Sequence, residues 1–307
     1  MKKKKKWLAL AGGVAAYITG VGLFASSQIM YMKKKEIDFV LDREVQAGRY
    51  DPETFKNIPQ EEKWIQSKHG YRLHTLFAEP NPGSKKWMIF VHGITENKYN
   101  SIRFLRLFTK RGFNAVIYDH RRHGQSEGKT SSYGFYEKDD LQSVIQQLKA
   151  DKGDDILIGI HGESMGAATL LLYGGMKPKG ADFYIADCPF SEFSEQVAHL
   201  IKRNYHLPKW MILPFGDWWL KRRDGYSLKE VSPLKAVENI DEPVLFIHTL
   251  EDTFIPPTMS EELYEHKKGP KQLVLLEKGA HAQAFNTNPE EYEKAIDSFL
   301  DTYVPRA

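Results

Sequence analysis

The chain has 307 residues, 41% hydrophobic and 27% charged, which suits one large α/β domain or two small ones and does not indicate extensive disorder. Its net charge of +3 is uneven, since residues 1–38 carry +6 and the remainder carries −3. A mildly acidic body gives no electrostatic reason to bind nucleic acid. The single cysteine, Cys188, excludes an intramolecular disulfide, and the sequence has no Cys/His cluster typical of a zinc site.

Residues 1–35 are predicted to be a membrane anchor or a signal segment. Between two lysine clusters, the uncharged run 7–32 would extend about 39 Å as a helix, and a hydrocarbon core of about 30 Å needs about 20 residues. A signal-peptide core is about 7 to 15 residues long, which favours a retained anchor. The alternative is cleavage near Ala25-Ser26-Ser27 and secretion. The lysine excess before the run predicts a single-pass protein with its N-terminus inside and its body outside.

After a polar linker or leading helix (residues 36–60, with a helical pattern ending near Asp51-Pro52), strand and helix patterns alternate. This alternation predicts one α/β catalytic domain, residues 61–307, with a mostly parallel sheet. The strand patterns cover residues 64–67, 71–78, 87–91, 115–118, 156–160, 181–186, 244–248 and 272–276. The helix patterns cover residues 101–111, 136–150, 165–174, 260–266 and 289–303. Residues 190–240, rich in aromatic side chains, are expected to form a helical cap.

The segment Gly162-Glu163-Ser164-Met165-Gly166 matches G-x-S-x-G between a strand pattern and a helix pattern, as that motif requires. A serine in such a turn lies at a helix N-terminus, where amide groups favour developing negative charge. We therefore predict that Ser164 is a nucleophile. The alternative is a structural N-cap.

Two N–H donors are needed to stabilise the oxyanion of acyl transfer. The amide of Met165, directly after the nucleophile, is one candidate. The amide of Ile94 is the other, because Gly93 permits the backbone turn that would direct it into the site. An ordinary glycine turn is the alternative there, and His92 is interpreted as a structural loop residue.

A serine hydroxyl needs a base, and the base needs an acid to fix its tautomer. Hydrolases with this motif supply them in the chain order Ser, acid, His. Asp252 follows the strand pattern 244–248 and His281 follows 272–276, so both are predicted at neighbouring strand ends. The rival acids are Asp187 and Glu251, and the rival bases are His248, His161 and His266.

These residues resemble the α/β-hydrolase superfamily, and more narrowly its bacterial serine-aminopeptidase-like and Bem46-like branch. The similarity extends from about Lys63 to the C-terminus and rests on residues 91–93, 118–126, 162–166, 232–234 and 249–256. It implies an eight-stranded, mostly parallel sheet flanked by helices, a small cap after the sixth strand, and no cofactor. It also implies hydrolysis of an ester, thioester or amide through an acyl-enzyme, and some relatives are membrane-anchored. Relatives commonly carry His-Gly before the acid loop, whereas this chain has His248-Thr249.

Three functions are compatible with these observations. The favoured one is hydrolysis of a small-molecule carboxylic ester or acyl substrate in an apolar pocket. The cap residues Trp210, Trp218 and Trp219 are expected either to shape this pocket or to pack the cap onto the body. A peptidase or amidase would need a site for a substrate amine, for which the cap offers Glu192, Glu195 and Asp217. An inactive, membrane-tethered binding protein is the third, and the intact Ser/Asp/His set argues against it.

Overall fold

The computed structural model describes residues 2–176 and 180–304. Its α-helices are α1 (Lys2–Met30), α2 (Ile37–Gln46), α3 (Pro52–Lys56), α4 (Ile102–Thr109), α5 (Glu137–Lys152), α6 (Met165–Gly174), α7 (Phe193–Tyr205), α8 (Leu213–Asp224), α9 (Pro233–Val237), α10 (Thr258–His266), α11 (Ala284–Thr287) and α12 (Pro289–Tyr303). Its strands are β1 (Gln60–Gln66), β2 (Arg72–Ala78), β3 (Lys86–Val91), β4 (Asn114–Tyr118), β5 (Leu157–Glu163), β6 (Phe183–Asp187), β7 (Val244–Thr249) and β8 (Lys271–Leu276).

The eight strands form one sheet in the order β1-β2-β4-β3-β5-β6-β7-β8. Strand β2 pairs antiparallel with both β1 and β4, and the remaining pairs are parallel. The predicted fold class, an eight-stranded and mostly parallel sheet flanked by helices, is confirmed. In such sheets the carboxyl ends of the central strands carry the ligand site, and here β5 lies between β3 and β6.

Helices cover both faces of the sheet because its central strands are apolar on both sides. On one face α5 and α6 pack against the strands through Val144 and Leu170. On the other face α4 and α12 pack through Phe108 and Phe299. All these side chains are buried, and the burial of each stabilises the folded state by about 1.5–3 kcal/mol.

The region from residue 36 to 60 differs from the prediction of one helical pattern ending near Asp51-Pro52. Helix α2 ends earlier, at Gln46, and Gly48 follows it with a φ of 66°. Asp51 then begins a second helix, α3, by accepting a hydrogen bond from the Glu53 amide at 3.1 Å. A left-handed glycine and a new N-cap thus divide the pattern into two helices.

Between β6 and β7 the chain forms the helical layer of α7, α8 and α9. The C-terminal half of α1 packs closely on α8. A Cβ atom on Gly22 would lie 2.0 Å from Cδ1 of Trp219, and one on Gly216 would lie 2.9 Å from Cβ of Ala25. These two glycines therefore allow the helices to approach at a distance that larger residues would prevent.

Polar contacts complete the junction between α1 and α8. The Arg223 guanidinium donates hydrogen bonds to Oγ of Ser26 at 2.7 Å and to Oγ of Ser27 at 2.8 Å. Helix α1 is also long and apolar enough to cross a membrane, a criterion that a signal sequence satisfies too.

Candidate active site

Ser164 lies in the turn between β5 and α6, with φ of 56° and ψ of −117°. This left-handed conformation is unfavourable for a residue with a Cβ atom, by about 1–3 kcal/mol. The flanking glycines are required by close packing. A Cβ atom on Gly162 would lie 2.5 Å from the Gly166 backbone, and one on Gly166 would lie 1.9 Å from the Val91 oxygen. The turn thus presents the serine hydroxyl above the sheet.

A continuous chain of hydrogen bonds joins three of the predicted site residues. His281 Nε2 lies 2.9 Å from Ser164 Oγ, and His281 Nδ1 lies 2.6 Å from Asp252 Oδ2. Because an ionised carboxylate only accepts hydrogen bonds, Nδ1 carries the proton and Nε2 is free to accept the serine proton. The structure therefore brings together Ser164, His281 and Asp252 in the order in which acyl transfer uses them.

Asp252 is held as an anion by the loop that follows β7. Its Oδ1 accepts the amides of Phe254 at 2.8 Å and Ile255 at 2.9 Å. Burial opposes ionisation, but the hydrogen bonds from His248, His281 and the Ile255 amide outweigh it and lower the pKa of Asp252. The carboxylate is consequently ionised at neutral pH.

The contact of His248 with Asp252 was missed by sequence reasoning, which considered His248 as a rival base or as a packing residue at the strand end. Its Nε2 lies 3.1 Å from Asp252 Oδ2 and 3.0 Å from the Ile255 oxygen, so this nitrogen is the donor. Its Nδ1 lies 2.7 Å from Ser260 Oγ and accepts from that hydroxyl. His248 thus positions the Asp252 carboxylate. A histidine at the strand end, four residues before Asp252, was the only available signal.

The rival acids make other contacts. Asp187 is buried and accepts a hydrogen bond from the Tyr292 hydroxyl at 3.0 Å. Burial, followed by the nearby Glu163 carboxylate, raises the pKa of Asp187. Glu251 accepts the Gly279 amide at 2.8 Å and so fixes the start of the loop that carries His281.

The two remaining rival bases also lie elsewhere. His161 is buried in β5, and its Nε2 lies 2.7 Å from the Tyr292 hydroxyl. Burial lowers the pKa of His161 to about 3, so it stays neutral. His266 is exposed at the end of α10, where Nδ1 lies 2.9 Å from the Glu262 oxygen.

The two predicted oxyanion donors, Ile94 and Met165, border the same cavity as Ser164. Met165 is the first residue of α6, and the first amides of a helix have no acceptor within it. The loop before Ile94 lies against Ser164, since a Cβ atom on Gly93 would lie 3.5 Å from the Cβ atom of Ser164.

His92 fixes the loop that carries Ile94. Its Nε2 accepts the His120 amide at 3.0 Å, and its Nδ1 therefore donates to the Gly93 oxygen at 2.8 Å. Burial lowers the pKa of His92, which keeps this neutral tautomer. His92 accordingly has the structural position that the sequence indicates.

In front of Ser164 lies a cavity of about 430 Å³ with an apolar lining. Its volume falls within the range of about 300–1,000 Å³ for small-molecule sites. Among the described residues that line it, none carries a charge. The lining from the body and the cap includes Ile94, Tyr133, Phe190, Phe193, Gln196, Val197, Leu200, Ile201, Asn204, Met211, Leu213 and Phe254. Helix α1 contributes Tyr17, Val21, Phe24, Ala25, Gln28 and Ile29.

The expectation that the cap tryptophans shape this pocket is wrong. Trp210 and Trp218 are 68% and 54% exposed and do not border the cavity, and Trp219 packs on Gly22 of α1. The aromatic lining comes instead from residues such as Phe24 and Phe193. The tryptophans were the most visible aromatic signal, but the orientation of a helix of mixed polarity cannot be read from its composition.

Within residues 2–176 and 180–304, Cys188, Asp252 and His281 form a group whose potential metal-ligand atoms lie within 4.8 Å of one another. A thiol binds a metal as the thiolate, and burial raises the pKa of Cys188 far above its usual range. The other two side chains are hydrogen-bonded to each other. This group therefore fits the hydrogen-bonded chain better than a metal site.

Comparisons with known proteins show the family to which the chain belongs. The family model described as serine aminopeptidase, S33, matches residues 82–230. The uncharacterized protein YqkD of Bacillus subtilis is 45% identical over 97% of both chains. The chain belongs to the α/β-hydrolase superfamily.

Solved structures show the same fold. The Pyrococcus furiosus esterase Pf2001 has a TM-score of 0.68 at 24% identity, over 83% of this chain and 95% of the esterase. The Pyrococcus horikoshii acylaminoacyl peptidase has a TM-score of 0.64 at 20% identity, over 83% of this chain and 43% of the peptidase. The superfamily thus includes esterases and peptidases, and at these identities the likeness concerns the fold alone.

Proposed function

We propose that this hydrolase is a serine enzyme that cleaves carboxylic esters, including acyl or thioester substrates, through a Ser164–His281–Asp252 triad in residues 61–307. The observation that carries the proposal is the hydrogen-bonded chain from Ser164 Oγ to Asp252 at the wall of an apolar cavity. An activated serine, an oriented base and an adjoining site for an acyl group are the parts that such a reaction needs.

In the proposed mechanism Ser164 Oγ attacks the substrate carbonyl while His281 Nε2 takes the serine proton. The ionised Asp252 stabilises the imidazolium that forms. The amides of Ile94 and Met165 donate to the oxyanion. The imidazolium then protonates the leaving alkoxide or thiolate, and an acyl-enzyme remains. Water, deprotonated by His281, attacks the acyl-enzyme, and the carboxylic acid leaves as Ser164 regains its proton.

An ester is favoured over a peptide with a free amine by the positions of the cap carboxylates. Glu192 accepts a hydrogen bond from Ser232 Oγ at 2.7 Å, and Asp217 accepts the Leu228 amide at 2.6 Å. Glu195 pairs with Lys209 at 3.0 Å on the surface. Because these groups do not border the cavity, a substrate ammonium bound beside Ser164 would have no carboxylate partner.

We propose that α1 tethers the enzyme to the cell membrane as a single-pass anchor, with residues 36–60 as a linker and the body outside the cytoplasm. Secretion after cleavage is the alternative. The excess of lysine before the apolar run supports this orientation. The test is protease added outside intact cells, which would degrade the body if it lies outside and spare it if it lies inside.

The catalytic proposal is tested with the full-length chain in detergent micelles, by fluorophosphonate labelling and p-nitrophenyl acetate hydrolysis. We expect Ser164→Ala to abolish labelling and to reduce kcat by at least about 10³-fold. Ser143→Ala, on α5, is the matched control and is expected to behave as wild type. If Ser164→Ala equals wild type in both assays, the turn is structural and the inactive binding protein becomes the better reading.

A further inference from the structure

The cavity in front of Ser164 is incomplete without the N-terminal helix. Six residues of α1, from Tyr17 to Ile29, form one wall of the cavity, and helix α7 contributes Leu200 and Ile201 to its lining. An apolar helix whose only role is anchoring would need no contact with the nucleophile's pocket. Here the same helix borders the cavity that contains Ser164.

The chain fixes α1 in this position by several independent contacts. The Tyr17 hydroxyl donates to the Met211 oxygen at 3.1 Å, near the far end of the wall. At the near end, Arg122 donates to the Met32 oxygen at 2.8 Å and the Ser131 amide donates to the Met30 oxygen at 3.1 Å. The wall is thus joined to the body and the cap along its whole length.

The length of α1 determines where the cap lies in a membrane. Cap contacts begin at Tyr17, so the free apolar stretch from Trp7 to Ala16 extends only about 15 Å, half of a hydrocarbon core of about 30 Å. For α1 to cross the core, the cap must enter the membrane beside it. The cap carries a suitable surface, since Tyr205, Trp210 and Trp218 are 52%, 68% and 54% exposed. Tyrosine and tryptophan are the residues enriched at membrane interfaces.

From this geometry we propose that α1 is a substrate-binding element: the acyl chain of a membrane-resident carboxylic ester lies between α1 and the cap and reaches Ser164 from the interface. The inference rests on the proposed esterase function and adds the substrate class. It also requires that α1 is retained, because cleavage near Ala25-Ser26-Ser27 would remove Tyr17, Val21 and Phe24 from the wall.

The test compares two valines on one face of α1, seven residues apart. Val21 borders the cavity, whereas Val14 is 50% exposed and lies outside it. In the full-length chain we expect Val21→Trp to lower the ratio of kcat/KM for p-nitrophenyl decanoate to that for p-nitrophenyl acetate by at least about tenfold, because the indole fills the acyl site. Val14→Trp is expected to leave both rates at their wild-type values.

The outcomes separate this inference from the proposed function. If wild type cleaves both esters and reacts with fluorophosphonate but Val21→Trp keeps the wild-type ratio, α1 is not a substrate-binding wall and the inference is overturned. If wild type neither cleaves an ester nor labels, the proposed function fails and the inference fails with it. Fluorophosphonate labelling of Val21→Trp shows whether the variant retains a folded, reactive site.

Entry from the membrane has its own measurement, which is quenching of tryptophan fluorescence by brominated lipids in vesicles containing the full-length chain. We expect brominated lipids to quench a smaller part of the tryptophan fluorescence in Trp210→Phe than in wild type, because the Trp210 indole lies at the membrane interface. An unchanged quenched signal would place the cap surface in water and overturn entry from the bilayer.

Discussion

Ser164, Asp252 and His281 follow the strands β5, β7 and β8 of the sheet, whereas the cavity in front of them is closed by α1 and α7, which lie outside the sheet. The strand side is polar and paired: Lys98 lies 3.0 Å from Asp119 at full burial, and Arg103 pairs with Glu163 behind the nucleophile. The helical side lines the cavity with mainly apolar side chains. The body therefore positions the residues of the proposed chemistry, and the helices supply much of the cavity lining beside them.

The largest effect is expected on the body side, from Asp252→Asn. The amide cannot stabilise the imidazolium and favours the wrong tautomer of His281, so kcat for p-nitrophenyl acetate should fall by about 10³- to 10⁴-fold. Asp187→Asn, at one of the two rival acids, should reduce kcat by less than about tenfold. Similar losses in the two variants would contradict the assignment of the acid.

Much of the strand side of the site could be predicted from the sequence. Buried strands appear as short apolar runs, and a serine between two glycines at a strand–helix boundary has few alternative conformations. The contact of α1 with α8 could not be predicted, because about 200 residues separate Ser26 from Arg223 and the uncharged part of α1, from Trp7 to Met30, marks no face for packing. Gly22 and Gly216 were visible, but only the fold shows that they face Trp219 and Ala25.

A second difference between the two sides is the pH dependence of folding stability, which we expect to arise in the body and not in α1. Asp140 accepts hydrogen bonds from Ser67 at 2.6 Å and from Tyr71 at 2.8 Å. Burial raises the pKa of Asp140 to about 7, above its ordinary value of 3.8. Between these two pKa values the folded state therefore holds a proton that the unfolded state has released. The contribution of Asp140 to the free energy of unfolding is fully present below the unfolded-state pKa. It is lost as the pH rises to about 7, by up to about 1.4 kcal/mol per pH unit.

Asp140→Asn removes this dependence, since an amide does not titrate. Relative to wild type, its denaturant midpoint should increase as the pH is raised from 5 to 7, measured by guanidinium unfolding. Asp154→Asn, at an exposed position, should follow the wild-type curve. A constant difference between Asp140→Asn and wild type across this range would show that Asp140 is ionised throughout.

The smallest effect is expected at the junction of α1 and α8. Arg223→Ala removes the hydrogen bonds to Ser26 and Ser27, which should weaken docking by about 1–2 kcal/mol. Trypsin cleavage at Lys33 to Lys35 should then be about five- to thirtyfold faster, because cleavage needs the docked segment to open. Arg222→Ala, whose guanidinium lies over the Trp218 ring, is the control. Equal rates in the two variants would show that the Arg223 hydrogen bonds do not hold α1 in place.

One backbone contact has a practical consequence for enzymology. The Lys35 amide donates to the Thr95 oxygen at 2.8 Å, beside Ile94, and Arg43 binds Glu96 in the same loop. Trimming a membrane-bound hydrolase behind its apolar segment is a common route to a soluble preparation. In this chain the trimmed enzyme would lose a backbone tie to the loop of the proposed oxyanion donor together with a wall of the pocket. Its kinetic constants and inhibitor profile would then describe a different catalyst from the one in the cell.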